Sequence, residues 1–179
     1  MKNKKNIWIF LSLITIAALS RLLPHPPNFT AIGSIALFGG MVSNSKYMKY
    51  LLPIGALLLS DIVLSLITPY SFFHSSFIWI YSAFILLVAL GSYFKKVSVS
   101  SVLTGSVLSA TFFFLFTNLG VWMSGTMYPM TFTGLISCYA AAIPFYANTL
   151  ISTVFFSAIL FGGYYFVDSK SLIGQKVSS

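Results

Sequence analysis

Apolar runs of near-membrane length, separated by short lysine-bearing breaks, most constrain what this chain can fold into. Ile7–Leu23, Met48–Ile67, His74–Tyr93, Val99–Met123 and Thr149–Val167 each have about the 17–25 residues that carry a helix across a hydrocarbon core about 30 Å thick. A shorter run, Thr30–Ser43, carries Gly33, Ala36, Gly39 and Gly40. Charged residues are 7% of the chain and hydrophobic ones 58%, whereas a soluble domain carries about 25% charge. The expected class is an all-α membrane protein. No Ser/Gly linker and no long repeat divides the 179 residues, so residues 1–179 are expected to form one integral membrane domain.

Positive charge orients the runs. With six spans and the N-terminus inside, Lys2, Lys4, Lys5, Lys46, Lys49, Lys95, Lys96, Lys170 and Lys176 fall on the inner side and only Arg21 on the outer. Such a bias is the usual signature of topology. Counting Phe132–Ala147 as a seventh span would move Lys170 and Lys176 outside. That segment is short and broken by Pro144, so it is read as a re-entrant or interfacial helix between helices five and six. The first seventeen to twenty residues also fit a signal peptide, with basic MKNKKN before Ile7–Leu19 and small residues at Ala18 and Ser20. Arg21 and the prolines after it fit a loop better. The expectation is a six-transmembrane-helix bundle with both termini cytoplasmic.

Several function classes are disfavoured. Net charge is +8, but the lysines lie in scattered groups rather than a patch, so no nucleic-acid partner is expected. The single cysteine, Cys138, excludes an internal disulfide and a cysteine cage. His25, His74 and Cys138 fall on three separate outer segments without close spacing, and no metal or cofactor is expected. No phosphate-binding glycine loop, HExxH or GxSxG occurs, and two acids in the whole chain leave little for acid–base chemistry. The chain is not expected to be an enzyme.

The stretch Arg21–Gly40, RLLPHPPNFTAIGSIALFGG, is the richest in function-bearing residues. It holds the only arginine and three of the seven prolines. Asp61 is the one acid inside a span, where acids are expensive and face a partner or a cavity. At about 1.5 Å per residue, Asp61 on the third helix and Arg21 on the first reach a similar depth, roughly 20 Å from the inner side. They are expected to pair, as a structural pin, as the floor of an outward pocket, or both. Above them, His25, Asn28, His74, Asn118, Trp122, Tyr139 and Asn148 are expected to line a substrate site. Aromatic residues collect at any membrane interface, so the amides carry more weight, because they need partners when dehydrated. Small residues four apart, Gly105/Ser109 and Ser106/Ala110 on the fifth helix, read as packing stripes. Ala36 and Gly40 on the short second helix read as a partner-docking face.

These motifs carry a resemblance. The lysine-led first helix, the proline-rich outer loop, the short AIGSIALFGG helix and LLPIGALLLSDIVLSL resemble the six-helix S-components of energy-coupling-factor (ECF) vitamin transporters. RLLPHPPNFT, ALFGG, LLLSD, TNLGVW, CYAAAIPFYANT and FGG are similar to an uncharacterised family of bacterial transport membrane proteins related to them. The resemblance covers about Leu19 to Tyr164. It implies a substrate-binding protein in the bacterial cytoplasmic (inner) membrane, with a pocket closed by Arg21–Thr30, Thr68–Ser75 and Ser124–Asn148. It also implies a transmembrane coupling protein with ATPase subunits as partners. One departure stands out: the first helix lacks the Ala-xxx-Ala docking patch of S-components, which leaves docking through helix two, or no partner at all. The expected function is uptake of a small organic nutrient of vitamin type. Alternatives are a self-sufficient transporter or facilitator, a membrane enzyme acting on lipid, and a structural or assembly subunit.

Overall fold

The computed structural model describes residues 4–43, 45–69, 71–73 and 75–177. Those residues form six α-helices and no strand, and 78% of the described structure is helical. The helices are α1 (Lys4–Leu19), α2 (Ile32–Val42), α3 (Met48–Ile67), α4 (Phe77–Tyr93), α5 (Val99–Met123) and α6 (Phe132–Val177), with a 3-10 turn at Ser20–Leu22 after α1.

The six helices match the expected number, but their lengths do not support six spans. Three are long and apolar enough to cross a membrane: α3, α5 and the Phe132–Phe166 part of α6. The 16 residues of α1, 11 of α2 and 17 of α4 are shorter. At about 1.5 Å per residue α2 is roughly 16 Å long, about half the thickness of a hydrocarbon core. The sequence pattern counted its flanks, Thr30, Ala31 and Ser43, as helix. The chain instead enters α2 through a bend, with Ala31 at φ −77° and ψ 0°, and leaves it extended at Ser43.

The second correction concerns Pro144. The expected break between a re-entrant segment and a last span beginning at Thr149 is absent, and α6 runs unbroken through Pro144. A proline removes one backbone hydrogen bond and crowds the carbonyl four residues back. Tyr139–Ala140–Ala141–Ala142 before it supplies strong helix formers, and Pro144 itself lies on an exposed face. The loss is therefore local.

α2 sits at the centre. It packs against each of the other five helices, and Ser34 through Gly40 are all buried. A helix with no polar face needs such surroundings. Its Phe38 ring meets Phe161 edge-on at 5.1 Å and Tyr164 at 5.8 Å. Ala36 faces Leu57, Phe84, Leu87 and Val88 in a second buried group. Ala36 and Gly40, expected to receive a partner, are thus covered from within. A Cβ at Gly40 would run into the Val88 carbonyl and the backbone at Gly91 and Ser92, so glycine is required for α2 and α4 to approach this closely. The outside of the bundle is the reverse of a water-soluble surface: Leu51, Leu58, Leu59, Ile62, Val63 and Leu66 on α3 are exposed. A contiguous apolar exterior of this kind suits lipid.

Candidate functional site

Arg21 and Asp61 meet, as their matched depths predict. The 3-10 turn after α1 carries Arg21 towards α3, and its Nη1 lies 2.7 Å from Asp61 Oδ1. This is a charge contact rather than an aligned hydrogen bond, since Oδ1 has no well-directed donor. The same Nη1 donates to Ser60 Oγ, whose own hydrogen goes to the Leu57 carbonyl at 2.8 Å. Asp61 Oδ2 accepts the Tyr81 hydroxyl of α4 at 2.8 Å. With side chains 11% and 3% exposed, the pair ties α1, α3 and α4 together inside an apolar bundle.

Above the pair lies a cavity of about 390 Å³. Arg21, His25, Asn28 and Asp61, four of the predicted site residues, stand on its wall. The loop between α1 and α2 forms one side and is fastened to α6. Asn148 Nδ2 donates to the Pro27 carbonyl at 2.9 Å, and Phe29 packs its ring against Phe155 and Phe156. Asn28 adopts φ 62°, a left-handed conformation that asparagine tolerates better than most residues. That turn lets Thr30 N reach the Asn28 carbonyl at 3.1 Å and redirects the chain into α2. His25 is exposed at the rim, with Nδ1 2.9 Å from the Pro26 carbonyl.

A second cavity of about 190 Å³ shares Asn28, Ile80, Phe113 and Thr149 with the first and continues along α5 and α6 to Asn118. Asn118 therefore belongs to this neighbouring space, its Nδ2 given to the Phe114 carbonyl at 2.7 Å. Trp122 and Tyr139 line neither cavity. Trp122 Nε1 donates to the Pro129 carbonyl at 3.1 Å and the Tyr139 hydroxyl to the Leu115 carbonyl at 2.6 Å. These bonds close the α5–α6 connection and zip the two helices. Asn148 likewise acts through Pro27, beside the cavity rather than in it. His74 lies outside the described residues. Among the described residues no three His, Cys, Asp or Glu side chains converge in a way that could hold a metal ion.

The sequence reading missed wall residues that carry no charge. Ser109, Ala110 and Phe113 of α5 and Thr149 and Thr153 of α6 all face the main cavity. Ser109 and Ala110 belong to the stripe read as packing, and Gly105 at that stripe's start does pack, against Leu37 of α2. One usable signal was present: hydroxyls four apart at Thr149 and Thr153 mark a polar line on an otherwise apolar helix.

A protein-family model described as a family of unknown function (DUF6580) matches residues 1–176, so the chain belongs to that family. No curated protein and no solved structure matches it. The likeness to S-components rests on the sequence motifs alone.

Proposed function

We propose that this member of the DUF6580 family is a membrane-embedded binding protein for the uptake of a small organic nutrient. The observation that carries the reading is the 390 Å³ cavity floored by the buried Arg21–Asp61 pair. Its size falls within the roughly 300–1,000 Å³ of small-molecule sites, and an apolar wall with a few fixed polar groups is their usual make-up. An acid and an arginine inside an apolar bundle mark a functional site by default.

On this reading all six helices traverse the bilayer, with both termini cytoplasmic and the cavity opening to the outer side. The short α2 completes its passage with the Leu23–Thr30 stretch, since non-helical backbone is tolerated at membrane depth where protein covers it or a cavity adjoins it. Substrate enters past Asn118 and rests against Phe113, oriented by Arg21 and Asp61.

Native mass spectrometry of gently purified protein tests the binding step. A small molecule should travel with the parent protein and be lost or depleted in Phe113→Ala. Finding no bound molecule across several host membranes would overturn the reading.

The energising partner is a separate matter. No nucleotide motif is present, which favours a coupling protein with ATPase subunits of the S-component type. The burial of Ala36 and Gly40 removes the docking face considered on α2 and favours the second reading, a self-sufficient facilitator. Liposomes containing the purified chain alone separate the two. Equilibrative entry of the copurified molecule supports the facilitator, whereas uptake only after partners are added supports coupling.

A further inference from the structure

The cavity wall is asymmetric in its charge, and this points to the chemistry of what it holds. The inference rests on the cavity being a small-molecule site, as proposed above. The one carboxylate on the wall is already engaged. Asp61, the only acid there, faces Arg21 with Oδ1 and Tyr81 with Oδ2. The hydroxyls of Thr68, Thr149 and Thr153 spend their hydrogens on the carbonyls four residues back, so towards the cavity they can only accept.

Donors are left over. Ile32 and Gly33 on the wall belong to the first turn of α2, where backbone N–H groups have no partner within the helix. The N-cap residue, Ala31, supplies no side-chain bond to them. Ser109, also on the wall, is 0% exposed, and its hydroxyl has no partner among the described residues. Among the described residues Arg21 uses Nη1 alone, towards Ser60 and Asp61.

A cation would find no uncommitted carboxylate in this space. An acceptor group finds the positive end of a helix, a buried hydroxyl and the remaining N–H groups of a guanidinium. Helix N-termini favour anions through these N–H groups and the helix dipole. The charge they can match is small, because Asp61 already neutralises Arg21 and the dipole contributes about half an elementary charge. That suits one negative charge better than a phosphate dianion. Ile32, Leu64, Ile80, Ala110 and Phe113 make the rest of the wall apolar.

We infer that the cavity binds a monocarboxylic acid with an apolar body. Its carboxylate sits between the first turn of α2 and the Ser109 hydroxyl, and its body lies against Phe113 and Ile80. Such an acid has two sources, a water-soluble aromatic or branched acid and a fatty acid from the membrane. Both share the headgroup chemistry.

The test uses the full chain in lipid nanodiscs, with phenylacetate, its neutral counterpart phenylacetamide, and octanoate as probes in titration calorimetry. Phenylacetate or octanoate is expected to bind at least tenfold more tightly than phenylacetamide. The stronger of the two acids identifies the source. Ser109→Ala should weaken the acid by about ten- to a hundredfold and leave the amide unchanged, as loss of one hydrogen bond to a charged group implies. Ser109→Cys, a weaker donor of similar size, should fall between them and guards against misfolding of the alanine variant. The inference is overturned if acid and amide bind alike, if Ser109→Ala weakens both equally, or if neither acid binds. A neutral molecule copurifying in a Phe113-dependent manner would sink the carboxylate assignment while leaving the binding protein standing. Absence of any copurified molecule together with silent probes would remove both.

Discussion

At the scale of single residues, the Arg21–Asp61 contact decides how much the interior tolerates. Removing one partner from a buried pair leaves an uncompensated charge, which costs about 3–5 kcal/mol, whereas replacing both by apolar groups is often close to neutral. Asp61→Leu and Arg21→Met should each lower stability by roughly that amount, measured by denaturant unfolding in detergent. The double variant should regain most of it. Equal losses for single and double variants would mean the pair has no energetic coupling. Glycines give a sharper contrast. Gly40→Ala drives a Cβ into the backbone of α4, while a Cβ at Gly55 meets nothing within 4 Å. The first should destabilise by about 1–3 kcal/mol through overpacking. The second should be neutral or stabilising by about 0.5–1 kcal/mol, because alanine is the better helix former. Arg21 and Asp61 were legible in the sequence because each is the only residue of its kind inside a span. Ser109 was not, because a serine in a small-residue stripe has the same pattern whether it packs or faces a cavity; only the fold distinguishes them.

Elements that are long apolar runs with clean ends were read to the residue. α3 and α5 begin and end where the apolar runs do, and α5 shows why. Ser98 accepts from Ser101 N at 3.2 Å while Ser101 Oγ accepts from Ser98 N at 2.8 Å, a reciprocal cap that fixes the start. Ser98→Ala should cost about 1 kcal/mol, visible as a lower unfolding midpoint together with faster amide exchange in the first turn of α5. No change in either would show that lipid-side packing alone sets that end. α6 was misread because proline was given the weight it carries in an exposed helix. The alanines before it and the partner helix beside it outweigh one missing hydrogen bond. α2 was read too long for the opposite reason: Thr30 and Ala31 continue its apolar character, but the turn at Asn28 delays the first helical residue.

For the whole molecule, the distribution of lysine and arginine carries the proposed topology, in which both termini lie inside. A cysteine placed at Lys170 should react with a membrane-impermeant reagent only after the membrane is opened. Labelling of intact cells from outside would invert the orientation and move the cavity to the cytoplasmic side. The site itself emerged from several levels at once. Its charged floor came from composition, its loop wall from the prolines and Asn28, and its hydroxyl-bearing wall from how α5 and α6 pack on α2. The last depends on contacts between residues more than a hundred positions apart, such as the Ser34 hydroxyl on the Thr153 carbonyl at 2.8 Å.

The close backbone approach of α2 and α4 at Gly40 and Gly91 has a mechanical consequence. Carriers that alternate by rocking one half against the other need a seam along which two rigid bodies slide. Here the central helix meets the backbone of α4 at Gly40 and that of α3 at Gly39, and sliding along these two faces would reopen backbone contacts. On the proposed uptake function, these contacts among the described residues disfavour an internal seam and predict that the entire chain tips in the bilayer while its interior stays fixed. Amide exchange along α2 should then be the slowest in the protein and should stay unchanged during uptake. A burst of exchange in α2 on substrate addition would reveal an internal hinge instead.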